Sequence, residues 1–142
     1  MEVSHVNRRL KAAMEQARAR AQARRQHTAE AEQGFAVFLE QVATPVSRQM
    51  ANALKVAGLP FTLATPGGGV RLSADRGRDD FIEFGLDSSG GDPQVVGHVR
   101  LTRGSRTSDE MVPVKPGAAI EELTEDDVLE FLVRALDPWL ER

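Results

Sequence analysis

The apolar positions of residues 35–59 fall on one face of a predicted helix. They recur at steps of three and four residues, at Phe35, Phe38, Leu39, Val42, Val46, Met50, Ala53, Leu54 and Ala57. Each large member contributes ~1.5–3 kcal/mol when buried, more than helix propensity supplies, so this face requires a partner surface. Pro45 predicts either a kink or a restart with Thr44 as N-cap. The unbroken apolar phase favours a kink near Pro45, with the helix ending at Gly58.

Residues 3–33 have a high helix propensity, because they are rich in Ala, Arg, Gln and Glu and contain no proline. A weak apolar stripe, interrupted by Arg24 and Thr28, is in phase with the apolar face of the helix predicted over residues 35–59. Its members are Val3, Val6, Leu10, Met14, Ala17 and Ala21. A helix over residues 3–57 would be roughly 80 Å long, so its first half is predicted to project beyond a small domain. We assign 1–33 to a basic Ala/Arg-rich helical arm and 34–142 to a single α+β domain.

After Pro60 the apolar period changes from helical to two, which is typical of strands. The alternating segments are FTLAT, VRLSA, DFIEFGLD, QVVGHVRLT and TSDEMVPV. Gly-, Asp- and Ser-rich turns separate them, the second of which is DRGRD at 75–79. This spacing predicts an antiparallel four- to five-stranded meander over residues 60–115, and Pro113 suits an edge strand.

A C-terminal helix is predicted from about 124 to 137. Thr124 and Asp127 form a capping box, and an apolar face follows with Val128, Phe131, Leu132, Ala135, Leu136, Trp139 and Leu140. Pro138 is predicted to bend or end this helix and to leave Trp139 at the rim. The fold class is therefore α+β, with the C-terminal helix and the first helix packed on one sheet face and the other face in water.

The net charge of −3 is unevenly distributed along the chain. Residues 1–27 carry seven Lys or Arg against two Glu, for +5, whereas the remainder carries eleven basic and nineteen acidic residues, for −8. The chain contains no cysteine, which excludes disulfides and thiolate metal sites and fits a reducing cytoplasm. No apolar run approaches the ~20 residues of a membrane helix. We therefore predict a cytoplasmic protein that does not associate with a membrane.

Candidate chemistry is sparse. TPGGGV at 65–70 precedes a strand and not a helix, so we interpret it as a turn and not as a phosphate loop. The three histidines lack metal-ligand spacing, and we predict no catalytic residue, cofactor or metal. The paired Asp79 and Asp80 are predicted to accept local turn amides. His98 is the best candidate for proton chemistry, on a sheet face shared with Arg71, Glu83 and Arg100.

These features favour a non-enzymatic interaction or adaptor protein whose arm serves self-association or partner binding. The predicted contact residues are Val6, Leu10, Ala13 and Ala17. We predict a weak homodimer, formed by the arm or by the exposed sheet face, while a solvated arm stays equally open. The first alternative is non-specific nucleic-acid binding through Arg8, Arg9, Lys11, Arg18, Arg20, Arg24 and Arg25, which point around the whole helix. The second is an enzyme or small-ligand binder that uses the face around His98.

Overall fold

The computed structural model describes residues 1–76 and 79–141, and its contacts divide the chain into two compact units, Met1–Glu32 and Gln33–Arg142. Helix α1 spans Val3–Phe38 and continues through Gly34. Two residues of the turn predicted at 75–79, Gly77 and Arg78, lie outside the described residues. Among the described residues, no helix is both long and apolar enough to cross a membrane.

The predicted irregularity at Pro45 takes the form of a π-helical turn immediately before it. Residues Leu39–Ala43 form this turn, in which the Thr44 amide donates to the Leu39 carbonyl. Helix α2, Thr44–Val56, follows without a break, and Thr44 itself has helical dihedral angles (φ −64°, ψ −49°). The alternative in which the helix restarts with Thr44 as N-cap is therefore wrong. A π turn inserts an extra residue, which changes the carbonyl positions that the ring of Pro45 would otherwise meet.

Helix α2 ends where the sequence predicts, in a Schellman motif around Gly58. The amide of Leu59 donates to the Leu54 carbonyl at 2.8 Å, and the amide of Gly58 donates to the Lys55 carbonyl at 3.1 Å. Gly58 has φ +83°, a conformation that glycine adopts without the Cβ penalty. This motif turns the chain directly into the first strand.

The five predicted strands form one antiparallel sheet in the order β1-β2-β3-β4-β5, which confirms the meander. Their bounds are β1 Phe61–Ala64, β2 Arg71–Ala74, β3 Phe81–Asp87, β4 Gln94–Arg103 and β5 Arg106–Pro113. The glycine-rich segment is a short 3-10 turn at Pro66–Gly68 between β1 and β2, and β5 with its proline is an edge strand. The period-two pattern therefore indicated both the strands and their faces.

Both helical segments pack on the same face of this sheet, as predicted. The Phe84 ring of β3 lies 6.0 Å from the Phe38 ring and 5.8 Å from the Phe131 ring of helix α3, Glu125–Leu140. Phe38 and Phe131 are buried, and Leu132 is fully enclosed. The aromatic contact of Phe84 with both helical segments fixes the core at the centre of the sheet.

The predicted end of α3 near residue 137 is wrong, and so is the rim position of Trp139. The helix begins with the predicted capping box between Thr124 and Asp127 but continues past Pro138 to Leu140. Trp139 is buried, packs edge-on against Phe61 at 5.6 Å and donates its indole N–H to Asp80 Oδ2 at 3.3 Å. These contacts hold the last turn in place, although Pro138 cannot donate a helical hydrogen bond.

The described hydrogen bonds of Asp80 reach distant parts of the chain, whereas Gly77 and Arg78 of the turn beside it lie outside the described residues. This buried carboxylate accepts the Thr102 backbone N–H at 2.8 Å through Oδ1, and the Trp139 indole through Oδ2. A buried carboxylate needs such donors, because an unpaired one would be strongly destabilising. Asp80 therefore joins the start of β3, the end of β4 and the end of α3.

We predict that Gly97→Ala lowers the free energy of unfolding by about 1–3 kcal/mol, the usual cost of overpacking a core. A Cβ at Gly97 would lie 2.0 Å from Phe131 Cζ, so the ring or the strand must shift. Gly85→Ala is the matched control on the neighbouring strand, since its nearest neighbour, Val96 Cγ2, is at an ordinary 3.8 Å. Urea unfolding measures both variants. Equal stability of the two variants would contradict the close approach of Phe131.

Candidate functional site

The structure brings the four predicted sheet-face residues together on the sheet face opposite the helices. Arg71 pairs with Glu83 across β2 and β3, and Glu83 pairs with His98 across β3 and β4. In the next row, Phe81 pairs with Arg100, which in turn pairs with Asp109 of β5. We refer to these residues as the Phe81 cluster: Arg71, Phe81, Glu83, His98, Arg100 and Asp109. Asp109 and the central position of Phe81 were not predicted from the sequence.

Two ion pairs and one imidazole contact connect the cluster. Arg71 donates to Glu83 Oε2 through Nη2 at 2.7 Å and through Nε at 3.2 Å. Arg100 Nε donates to Asp109 Oδ1 at 2.9 Å, and His98 Nε2 lies 2.7 Å from the same oxygen. Each carboxylate therefore already has a cationic partner from an adjacent strand.

The Phe81 ring lies beneath these charged side chains. The Arg71 and Arg100 guanidinium carbons lie 4.2 Å and 5.2 Å from its centroid, and the His98 ring meets it edge-on at 4.9 Å. Only 6% of Phe81 is exposed. The expectation that this face lies open to water is therefore wrong at its centre. The reason is that arginine covers apolar surface with its stem and binds an aromatic face with its guanidinium.

The hydrogen bonds of Asp109 shift its own pKa and that of Arg100. Hydrogen bonds from Arg100 and then His98 hold the pKa of Asp109 below its usual value, and the same Asp109 contact raises the pKa of Arg100. Asp109 is thus ionised at neutral pH and can only accept hydrogen bonds. His98 must then donate through Nε2, which leaves Nδ1 as its remaining polar atom.

Among the described residues, no hydroxyl group is hydrogen-bonded to His98, whose ring contacts Asp109 and Phe81. Across residues 1–76 and 79–141, no group of three or more His, Asp or Glu side chains could hold a metal ion. The geometry instead describes a mutually neutralised layer that covers Phe81.

The arm residues singled out from the sequence lie along helix α1 within the first unit. Val6, Leu10, Ala13 and Ala17 share one face and are all exposed. The seven basic residues of the nucleic-acid alternative are exposed as well, and they are spread around the helix. The structure thus keeps one apolar seam with basic residues on both sides of it.

One further site was missed in the sequence. A groove of about 350 Å³ lies between α3 and strands β4 and β5, with apolar walls formed by Val99, Leu101, Val112, Phe131, Ala135 and Pro138. Ser108, Glu110 and Arg134 supply its polar atoms. Glu110 was the available signal, because it occupies a helix-facing position of β5 opposite Val99, where the alternating pattern calls for an apolar residue.

We predict that Asp109→Asn destabilises the fold at neutral pH but not in acid. A carboxylate whose folded pKa is depressed stabilises the fold fully above its unfolded pKa of about 4, and this contribution disappears as the pH falls through the folded pKa. The wild type should therefore unfold at higher denaturant concentration than Asp109→Asn at pH 7, and the gap should close as the pH falls through the folded pKa of Asp109. Denaturant unfolding at four pH values measures this, with Glu110→Gln as the control for losing a β5 carboxylate. A gap that persists unchanged in acid would contradict the assigned pairing.

In comparisons with known proteins, no family model, no curated protein and no solved structure matches this chain.

Proposed function

We propose that this chain is a non-enzymatic interaction protein of the cytoplasm, whose residues 3–21 bind a helix of a partner protein. The observation that carries the proposal is the exposed seam of α1, in which Val3, Val6, Leu10 and Met14 are between 45% and 74% exposed. Burying a large apolar side chain fully contributes ~1.5–3 kcal/mol, so a facing helix would gain substantially. Ala13 and Ala17 complete the seam, and their small side chains allow two helix axes to approach closely.

The charges beside the seam favour an acidic partner. At 3.6 residues per turn, Arg9 and Arg20 flank one edge of the seam, and the other edge is flanked by Lys11, Arg18 and Arg25. In paired helices, the flanking positions face each other and choose the partner by charge. An amphipathic helix with Glu or Asp beside its apolar stripe therefore complements this arm.

A second copy of the arm complements the seam less well than an acidic helix does. Self-pairing brings basic flanks against basic flanks, and each such like-charge contact costs a few tenths of a kcal/mol. The homodimer therefore stays a prediction, and we expect it to be weak. Its association should strengthen as salt screens this repulsion. Its contact residues are those of the seam, so the heterologous partner and the second copy would compete.

Nucleic-acid binding is the alternative, supported by the seven exposed basic side chains of the arm. Because they point around the whole helix, a duplex could meet only some of them at once. The arm contains no aromatic residue before Phe35, so it has no platform for base stacking. Phosphate binding would also leave the apolar seam in water, which is why we place this alternative second.

The helix-pairing proposal predicts that the full chain binds a synthetic acidic amphipathic helix. A suitable probe has 21 residues, with leucine at its seam positions and glutamate at the flanking positions. Leu10→Gln should weaken this binding at least ten-fold, because it removes the largest apolar side chain of the seam. Fluorescence anisotropy with a labelled probe at low salt measures the dissociation constant.

Arg8→Gln is the matched control, since Arg8 lies on the face of α1 opposite the seam. Its effect should stay within about two-fold, because it removes one charge at a distance. A probe with lysine at every flanking position should bind less tightly than the acidic one. Equal losses in Leu10→Gln and Arg8→Gln would show attraction by charge alone and would overturn the proposal. Sedimentation velocity of the wild type without the probe reports any self-association.

The nucleic-acid alternative predicts a steep dependence of affinity on salt. If three basic side chains of the arm contact phosphates, the affinity for a 24-base-pair duplex should fall ~40-fold between ~50 and ~200 mM salt. Arg8→Gln and Arg18→Gln should each reduce that slope, whereas Leu10→Gln should leave it unchanged. The same anisotropy titration measures this, and a flat salt profile would exclude the electrostatic mechanism.

A further inference from the structure

Strand β5 is an edge strand, and no strand of the described residues lies beside its outer backbone groups. Hydrogen-bonded and non-hydrogen-bonded residue pairs alternate along an antiparallel ladder. Because the tight turn pairs Arg103 with Arg106, the backbone groups of residues 106, 108, 110 and 112 bond to β4. The Val114 amide, which donates to the Val95 carbonyl at 3.0 Å, belongs to the same series. The N–H and C=O groups of Thr107, Asp109 and Met111 therefore point away from β4. Pro113 occupies the next outward position, where a missing N–H costs no bond to β4.

The apolar groove lies beside this edge on the helix-covered face. The side chains at 108, 110 and 112 of β5 point into it. Its other lining residues are Val99, Leu101, Pro113, Pro116, Phe131, Arg134, Ala135 and Pro138. A strand added next to β5 would carry every second side chain on the same face. Its alternate side chains would thus reach the groove, while its backbone bonds to the edge. This combination of a free edge and a side-chain groove is the arrangement that binds extended peptides.

The charges in and around the groove indicate which kind of segment would bind beside β5. Glu110 and Arg134 both line the groove, but no ion pair joins them within the described part of the chain. Arg134 Nη2 instead donates to the Val114 carbonyl at 3.4 Å. Residues 33–142 carry eleven basic against seventeen acidic side chains, which favours a basic occupant. A second copy of β5 would bring Asp109 and Glu110 close to their own counterparts, which disfavours self-pairing of this edge.

We propose that β5 is the docking edge for an extended, basic segment of a partner protein, which adds to the sheet as a sixth strand. The segment has two large apolar side chains, which enter the groove near Ser108 and Val112, and between them a Lys or Arg opposite Glu110. The backbone of Thr107, Asp109 and Met111 supplies the hydrogen bonds, and the groove supplies the selectivity for the apolar side chains. This surface shares no residue with the arm seam, and the proposal does not rest on the function proposed for the arm.

The test uses the full chain and a capped, labelled seven-residue peptide. Threonine fills its odd positions, and leucine, lysine and leucine fill positions two, four and six. Wild type should bind it saturably in fluorescence anisotropy. Ala135→Phe fills the groove and should weaken binding at least ten-fold, whereas Val133→Phe places the same ring on an exposed site of α3 and should leave binding unchanged. Leu10→Gln in the arm should also leave it unchanged, which separates this proposal from that for the arm.

A charge reversal keeps the test independent of any folding defect. Glu110→Lys should bind the lysine peptide at least ten-fold more weakly than wild type. The same variant should bind a peptide with glutamate in place of lysine at least ten-fold more tightly than wild type does. Methylation of the peptide amides that face β5 should abolish binding, since strand addition needs those donors. The proposal is overturned by the absence of saturable binding to wild type, by equal loss in Ala135→Phe and Val133→Phe, or by indifference to amide methylation.

Discussion

The close approach of Phe131 to the backbone at Gly97 is the contact on which the architecture of the folded unit depends. A Cβ there would lie 2.0 Å from the ring, so the helix can reach the sheet only where β4 lacks a side chain. With Phe131 seated, Phe84 of the neighbouring strand contacts both Phe131 and Phe38. Helix α3 thereby covers the centre of the sheet and leaves the β5 side of the same face open as a groove. One missing side chain thus determines both the core and the surface beside it.

Asp80 complements that apolar contact with a polar one. Its two carboxylate oxygens accept from Thr102 and from Trp139, residues that are 22 and 59 positions away in the chain. Such a buried group stabilises only when its donors are in place, so it ties the last turn of α3 to one arrangement of β3 and β4. This explains how the helix continues through Pro138, a residue that ordinarily ends one.

The local features of this fold could be predicted from the sequence, because they depend on neighbouring residues. The Thr124–Asp127 capping box, the Gly58 stop and the alternation that places Glu83 and His98 on one face are of this kind. The burial of Trp139 could not be predicted, since its partners Phe61 and Asp80 lie far away in the chain. For the same reason, the charged sheet face was recognised without Asp109 and without Phe81 at its centre. Pairing partners depend on the register of several strands at once, and the apolar–polar alternation within each strand does not specify that register.

The neutrality of the Phe81 cluster also shapes where partners can bind. Arg71 with Glu83, and Arg100 with Asp109, satisfy each other across strands, so a charged ligand would have to break an existing pair there. The β5 edge and the arm seam differ from the Phe81 cluster in two ways. Each has apolar side chains that are not fully buried, and each lies in a unit whose charges do not cancel. Apolar contact supplies affinity at such a surface, while charge steers the encounter and rejects partners of like sign. Since the seam has basic flanks and the groove beside the edge holds Glu110 with no ion pair among the described residues, the two surfaces would select segments of opposite charge, and one simple peptide could not occupy both well.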